Sequence, residues 1–467
     1  MGVGGATAIK TSTCFDVVPA AVTANDLLAT CVKTPIVDPA AATKGLGYSS
    51  YFAFDITDQY FNSSGVLANQ PTLKWEFAPP GLGYSTSGAT IVRISATTTS
   101  GSPAVTTADK TKNGKSFAVF ASGPTGPVSY GNFLAKSDQN LKLFVVDLEA
   151  TGTLIEDTNY WVIDTGIKRA FGGSMINAAV DTDRWNASAT GNYQDDVVYV
   201  GYAKANIADA AAITATTEWT NGGVIRLLTM EEYPKKTGGV LNWKTSEVIT
   251  GVGAVTSGIA RLQDRRNKKL WLYFGTGRFY YGGDDKTTQR FIMGVADPCY
   301  KTDNTILNTC TDTLAFSTSS SDFNSQNDIT SCDMTGKKGW YIPLELSTTS
   351  MNAERTITDP VSLTNGMVEF TTFMPAADVC KFGGDSYIWA VKFDNGCAIP
   401  AAALSGKVLL QVSTGAFEEV DLKTALTAKD GRKLGTPLTG RPPTPPPPIV
   451  SNAGNKPPKK ILHLQEK

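Results

Sequence analysis

The chain has 467 residues and a net charge of −1, with 42 basic against 43 acidic side chains. That balance argues against nucleic acid or an anionic membrane as the main partner, and no apolar run reaches the eighteen residues that a membrane-spanning helix needs. The single histidine, His463, lies next to the C-terminus, so catalytic triads, histidine bases and histidine metal sites are all but excluded for the folded part.

Glycine is abundant (44 residues) and charged residues are only 18%, the composition of many strands joined by many turns. The chain opens with "MGVGGATAIK", which has neither a charged n-region nor an apolar h-region. The expectation is a piece of a longer or split secreted protein. "YFAFDITD" (51–58) and "TLKWEF" (72–77) read as the third and fourth strands of a unit whose first two come from elsewhere.

From there a four-part order recurs. "GATIVRI", "GKSFAVFASGP", "LKLFVVDLEATG" and "YWVIDTG" are followed by "SMINAAVDTD", "DDVVYVGY", "GGVIRLLTM" and "LNWKTSEVI". A third round reads "SGIARLQDRR", "KKLWLYFGTGR", "QRFIMGVADPC" and "GWYIPLEL". The fourth is "TDPVSLTNG", "GMVEFTTFMP", "SYIWAVKFDNG" and "GKVLLQVSTG". Each run is short, β-branched or aromatic, and bounded by Gly, Asp or Asn, which signals strands. Four antiparallel strands per unit, repeated, is the signature of a β-propeller. We expect an all-β propeller over residues 1–432 with at least five and up to seven blades, inserted loops such as 317–331, and residues 1–50 helping to close the ring. A pair of β-sandwiches is the alternative. Residues 433–467 read as a separate tail, in which "TGRPPTPPPPIV" is extended polyproline and "NKPPKKILHLQEK" offers a last edge strand.

Among the weaker signals, "FGTGRFYYGGDD" has no P-loop spacing and reads as tight turns at a strand end. "DRRNKK" (264–269) and "DDK" (284–286) read as solvated hairpin tips. The aromatic residues Trp271, Tyr273, Phe274, Phe279, Tyr280 and Tyr281 read as inter-blade core and rim. The seven cysteines suggest three local pairs, 14 with 31, 299 with 310 and 380 with 397, with Cys332 left over. Each pair would contribute about 3 kcal/mol in the chain-entropy model, and the pattern suggests an oxidising compartment. Free structural thiols are the alternative.

Ten stretches in order resemble the C-terminal propeller domain of the PilC/PilY-type type IV pilus biogenesis and adhesion proteins. They include "GYSSYFAFDITD", "LKWEFAPPGLGYSTSGATIVRI", "LFVVDLEATGTLI", "DDVVYVG", "WLYFGTGRFY" and "VEFTTFMP…DVC", and they cover roughly residues 45 to 415. The family's large N-terminal region is absent. The resemblance implies a secreted, cell-surface protein at the pilus tip or outer membrane. Its partners would be minor pilins or a pilus tip complex, with a host or surface ligand, and its role pilus extension against retraction and adhesion. Blades of this kind also resemble those of quinone-dependent dehydrogenases, but no vicinal cysteine pair is present; a glycan-binding propeller is the third reading, and its Asp-box is missing.

Many members of that family carry a calcium loop of the pattern D-x-D-x-[DN]-x-x-x-D ahead of a "VYxG" strand. The resemblance carries this onto "AAVDTDRWNASATGNYQDDVVYVG" (178–201) as Asp181, Asp183, Asn192 and Asp196, with the Gln194 carbonyl. The loop has an insertion relative to the pattern, and as an EF-hand it fails. The residues allow two readings: a Ca²⁺ site of hard oxygen donors, or a solvated hairpin with local turn bonds.

Overall fold

A strand such as Val197–Lys204 is apolar at nearly every position rather than at every second one, so both of its faces have to be covered. The computed structural model shows how. It describes residues 49–57, 64 and 71–397, apart from 104, 130–131, 185–193, 215, 327–331, 364 and 379–382, together with Gly2–Val3, Lys407–Gln411 and Phe417–Asp421. Among the described residues there is no helix, hence none long and apolar enough to cross a membrane.

Among the described residues five sheets of three to six strands, mainly antiparallel, follow one another in chain order, with three two-stranded ladders beside them. The first pairs Ser50–Asp55 with Thr72–Phe77, and Gly2–Val3 adds to its edge through Tyr51 and Ser50. The second contains Thr90–Ser100, Val105–Ala121, Lys142–Asp147 and Tyr160–Asp164. The third is built on Val197–Lys204, Asn221–Leu228 and Lys244–Thr250, with Ala170–Gly172 and Ala179–Val180 on one edge. The fourth contains Ala260–Asp264, Lys269–Gly275, Phe291–Ala296 and Gly339–Pro343. Val361–Ser362, Met367–Pro375 and Gly384–Lys392 form the fifth.

Apolar layers lie between neighbouring sheets, because successive side chains of a strand point to opposite faces. Val198, Val200 and Tyr202 pack with Phe117, Val119, Leu143 and Val145 of the second sheet. Val197 and Tyr199 pack instead with Leu270, Leu272, Met293 and Val295 of the fourth. The fourth presents Trp271, Tyr273 and Trp340 to Val368, Phe370 and Trp389 of the fifth, and the first meets the second through Trp75, Phe77, Phe120 and Phe144. Each consecutive pair therefore shares one core. This is the β-propeller read from the repeat. Trp271, Tyr273 and Phe274 lie between blades as expected, and the turn of "DRRNKK" is exposed.

Three expectations need correction. Cys299–Cys310 is bonded, but Cys397 pairs with Cys332 and not with Cys380. Cys332 precedes the last strand of the fourth sheet and Cys397 follows the last strand of the fifth. Gln326 Nε2 donates to Asn395 O (2.8 Å) and Trp340 Nε1 to Phe393 O (3.2 Å), which holds the two ends side by side. Cys14, Cys31 and Cys380 lie outside the described residues, as do the tail and most of residues 1–50. Second, Lys407–Gln411 pairs with Phe417–Asp421 and not with Gly384–Lys392, a local pairing that closes a shorter loop. Third, Asp284 and Asp285 are no solvated tip: both are buried.

The reason lies in the segment 276–290, which turns inward. Arg278 Nε donates to Asp284 Oδ1 and Oδ2 at 2.9 and 3.0 Å. Its other nitrogens donate to Leu134 O (2.7 Å), Ala135 O (2.9 Å) and Trp219 O (3.4 Å). Arg290 pairs with Asp285, and Arg355 donates to the carbonyls of Arg278, Asp284 and Asp285. Gly277, at φ 138°, brings its backbone so close that a Cβ would meet that of Arg355 at 2.5 Å.

Arg278→Ala would leave the Asp284 carboxylate buried and unpaired. It should cost about 3–5 kcal/mol in urea unfolding, with only partial recovery in Arg278→Lys, which lacks the planar fork; a loss of under about 0.5 kcal/mol, the size of a surface change, would contradict this role. Non-reducing peptide mapping should recover a Cys332–Cys397 cross-linked fragment and none joining Cys380 to Cys397.

Candidate metal centre

The acidic stretch is folded by two short ladders. Ala179 and Val180 pair with Val198 and Val197, and Asp196 N donates to Val180 O at 2.8 Å. That pairing sets Asp181 across from Asp196. Thr182 then donates to Asp196 Oδ2 twice, from its backbone N (2.8 Å) and its hydroxyl (2.6 Å). Asp181, Asp183 and Asp196 each bring one carboxylate oxygen within 4.8 Å of the others.

Neighbouring acids are sorted by strand alternation. Asp195 is turned away and accepts from Arg93 N (2.7 Å), Nε (3.2 Å) and Nη2 (3.1 Å). Asp196 is only 2% exposed. Its Oδ1 and the Oδ1 of Asp181 are buried and meet no hydrogen-bond donor.

Electrostatics follow from that geometry. Burial, then the nearby charge of Asp196, Asp183 and Asp195, pushes the Asp181 carboxyl up to about 7. Burial also raises Asp196 to about 7, against the two bonds from Thr182; Asp183 and Glu231 push it further up. Carboxylates so placed either keep a proton or share a cation. The donor set is hard oxygen without nitrogen or sulfur, which suits Ca²⁺ or Mg²⁺ rather than a transition metal.

Of the residues expected from the sequence, Asp181, Asp183 and Asp196 come together. Gln194 is fully buried just before Asp195, and Asn192 lies outside the described residues. Sequence reasoning missed the support around them. Thr229 donates from its N to Asp196 O (3.0 Å) and from its hydroxyl to the carbonyls of Asp195 (2.8 Å) and Asp196 (3.2 Å). Glu231 follows in the same turn, at φ 58°. A signal existed, because antiparallel pairing sets Leu228 against Val197 and so must bring 229–231 back beside 195–196.

No family model matches the chain, and no curated protein matches it in sequence. Among solved structures it is similar to the crystal structure of the Pseudomonas aeruginosa PilY1 C-terminal domain, with a TM-score of 0.47 and 13% identity. The match covers 80% of this chain and 76% of that one.

The raised carboxyls have a measurable consequence in chelator. Unfolded, Asp181 and Asp196 ionise near the ordinary aspartate value of 3.8; folded, they hold protons to about 7. The native state thus binds more protons between those limits, and stability from this pair falls as pH rises from about 4 to about 7. Urea midpoints should fall over that range, and Asp181→Asn should flatten the fall. An unchanged slope in the variant would show that Asp181 is not shifted.

Proposed function

We propose that the chain is the propeller module of a type IV pilus-associated cell-surface protein, that it acts by binding and assembly rather than catalysis, and that it holds one Ca²⁺ at Asp181, Asp183 and Asp196. The observation that carries the metal reading is the pair of buried carboxylate oxygens, on Asp181 and Asp196, without a donor inside a cluster spanning 4.8 Å. A bound cation satisfies both and cancels the repulsion that raises their pKa values. Ca²⁺ is favoured over Mg²⁺ because an irregular loop imposes no tight octahedral geometry.

The pilus reading is supported by the ten stretches of family-like sequence in order. Two disulfides agree with an oxidising, extracellular setting. Minor pilins or other pilus subunits are the partners this reading implies. The cation would tune rather than build the fold, because every pair of sheets has its own core. A site saturated a hundredfold above its dissociation constant adds only about 2.7 kcal/mol.

Asp196→Asn is the informative variant: its amide oxygen still accepts from Thr182 while the charge is gone. Calorimetric titration of chelator-treated protein with CaCl₂ should give one site per chain in the wild type and none in the variant. The melting temperature should rise with Ca²⁺ only in the wild type. No heat and no shift in the wild type would leave an ordinary acidic hairpin. In the cell, deleting the gene should change surface piliation and Asp196→Asn should alter the balance of extension and retraction; normal pili after deletion would overturn the pilus role independently of the metal.

A further inference from the structure

A hollow of about 660 Å³ lies where the edge strands of the fourth and fifth sheets meet residues 176–177, between Ala170–Gly172 and Ala179–Val180 of the third. Ile176, Ile259, Pro360 and Val361 give it apolar walls, and Arg261 and Asp359 give it charge. Arg261 stands on Ala260–Asp264, the edge strand of its sheet, and Val361–Ser362 is likewise an edge. Among the described residues one side of each strand has no ladder partner, although the Arg261 carbonyl already accepts from Ser362 Oγ.

The two charges are held but not neutralised. Arg261 donates through Nη1 to Asn177 O, and its own carbonyl accepts from Ser362 Oγ at 2.8 Å. Asp359 Oδ1 accepts from Gly258 N at 2.5 Å, and Ser174 adds a side-chain bond. A Cβ at residue 258 would meet the Asp359 carboxyl carbon at 2.9 Å, so glycine there lets the carboxylate lie against the backbone. Among the described residues neither Arg261 nor Asp359 has an ion-pair partner, and they do not pair with each other. Asp195, whose charge Arg261 feels, is already bonded to Arg93.

Two opposite charges half-buried in one hollow and not joined to each other forgo most of the Coulomb return that would offset their lost hydration. A ligand that brings both counter-charges supplies that return. The volume falls in the range of ligand pockets, about 300–1,000 Å³, and exceeds what a single amino acid fills. An extended chain beside open strand edges gains main-chain hydrogen bonds as well. We propose that this hollow binds a short extended peptide segment carrying both signs of charge, its carboxylate on Arg261 and its ammonium or guanidinium on Asp359.

The test uses the full chain and fluorescein-labelled alanine-based hexapeptides carrying one Glu and one Lys at each spacing, with Glu/Glu and Lys/Lys peptides as controls. Anisotropy should show saturable binding of at least one mixed-charge peptide, at least tenfold tighter than either control. Arg261→Gln and Asp359→Asn should each weaken it at least tenfold with melting temperatures near the wild type; Asn at 359 can still accept from Gly258 N. Should Arg261→Gln fail to fold, Asp359→Asn and Gly258→Ala decide the matter, both expected to lose binding. No saturable binding, or equal binding by wild type and variants, would overturn the proposal. So would full competition by free glutamate plus lysine, which would mark a small-zwitterion site. None of these outcomes bears on the calcium or pilus readings.

Discussion

Arg278 offers five N–H donors in a rigid fork, and four of them go to one carboxylate and to carbonyls from residues 134, 135 and 219. Those carbonyls belong to the connections from Val105–Ala121 to Lys142–Asp147 in the second sheet and from Val197–Lys204 to Asn221–Leu228 in the third, while Arg278 itself follows the second strand of the fourth. Packing between sheets is apolar and non-directional, so it fixes neither their angle nor their height. The guanidinium supplies direction. Arg355 then caps the carbonyls of the same loop from the approach to the fifth sheet, and aromatic faces of Phe171, Tyr280 and Phe279 flank the two cations. A loop with its polar backbone satisfied in this way ties the second, third and fourth sheets to the approach of the fifth.

The insertion at residues 297–338 works in a similar way between the third and fourth sheets. Asp297 accepts from Tyr199 Oη (2.6 Å), from Cys299 N (2.8 Å) and from the guanidinium of Arg226. Arg226 also donates to Glu247 O and Asp312 O. Leu314–Ala315 then adds a parallel strand to Lys244–Thr250, and Phe323–Ser325 adds one to Gly339–Pro343. The Cys299–Cys310 bond closes the root of this insertion and Cys332–Cys397 ties its far end to the next sheet. What reads as an interruption of the repeat is a strap across neighbouring blades.

The acidic centre draws on the same frame. Two adjacent aspartates take opposite tasks because, in the extended stretch just ahead of Val197–Lys204, their side chains face opposite ways. Asp195 holds Arg93 at the root of the long hairpin formed by Thr90–Ser100 and Val105–Ala121, and Asp196 faces the cluster. Gln263 Nε2 reaches Thr182 O from the fourth sheet at 2.5 Å. The acidic stretch is thus braced by the second, third and fourth sheets.

The main strands and the propeller class were legible in the sequence, because strands buried on both faces must be apolar throughout and their order repeats; the short added strands such as Leu314–Ala315 and Phe323–Ser325 were not. Asp181, Asp183 and Asp196 were singled out by resemblance to a family's calcium loop, and the short ladder of Ala179–Val180 with Val197–Val198 is what brings their carboxylates together. Long-range pairings were not legible. Cys397 has Cys380 seventeen positions away in sequence, yet its partner is Cys332, sixty-five away, because blade stacking sets the ends of two sheets together. "GRFYYGGDD" has the polarity of an exposed turn, and only the tertiary structure turned it inward, where Arg278, Arg290 and Arg355 neutralise and bond its acids and carbonyls. Local pattern encodes which face of a strand is apolar; which charge meets which across sheets depends on how those faces stack, and that is decided by the assembled fold.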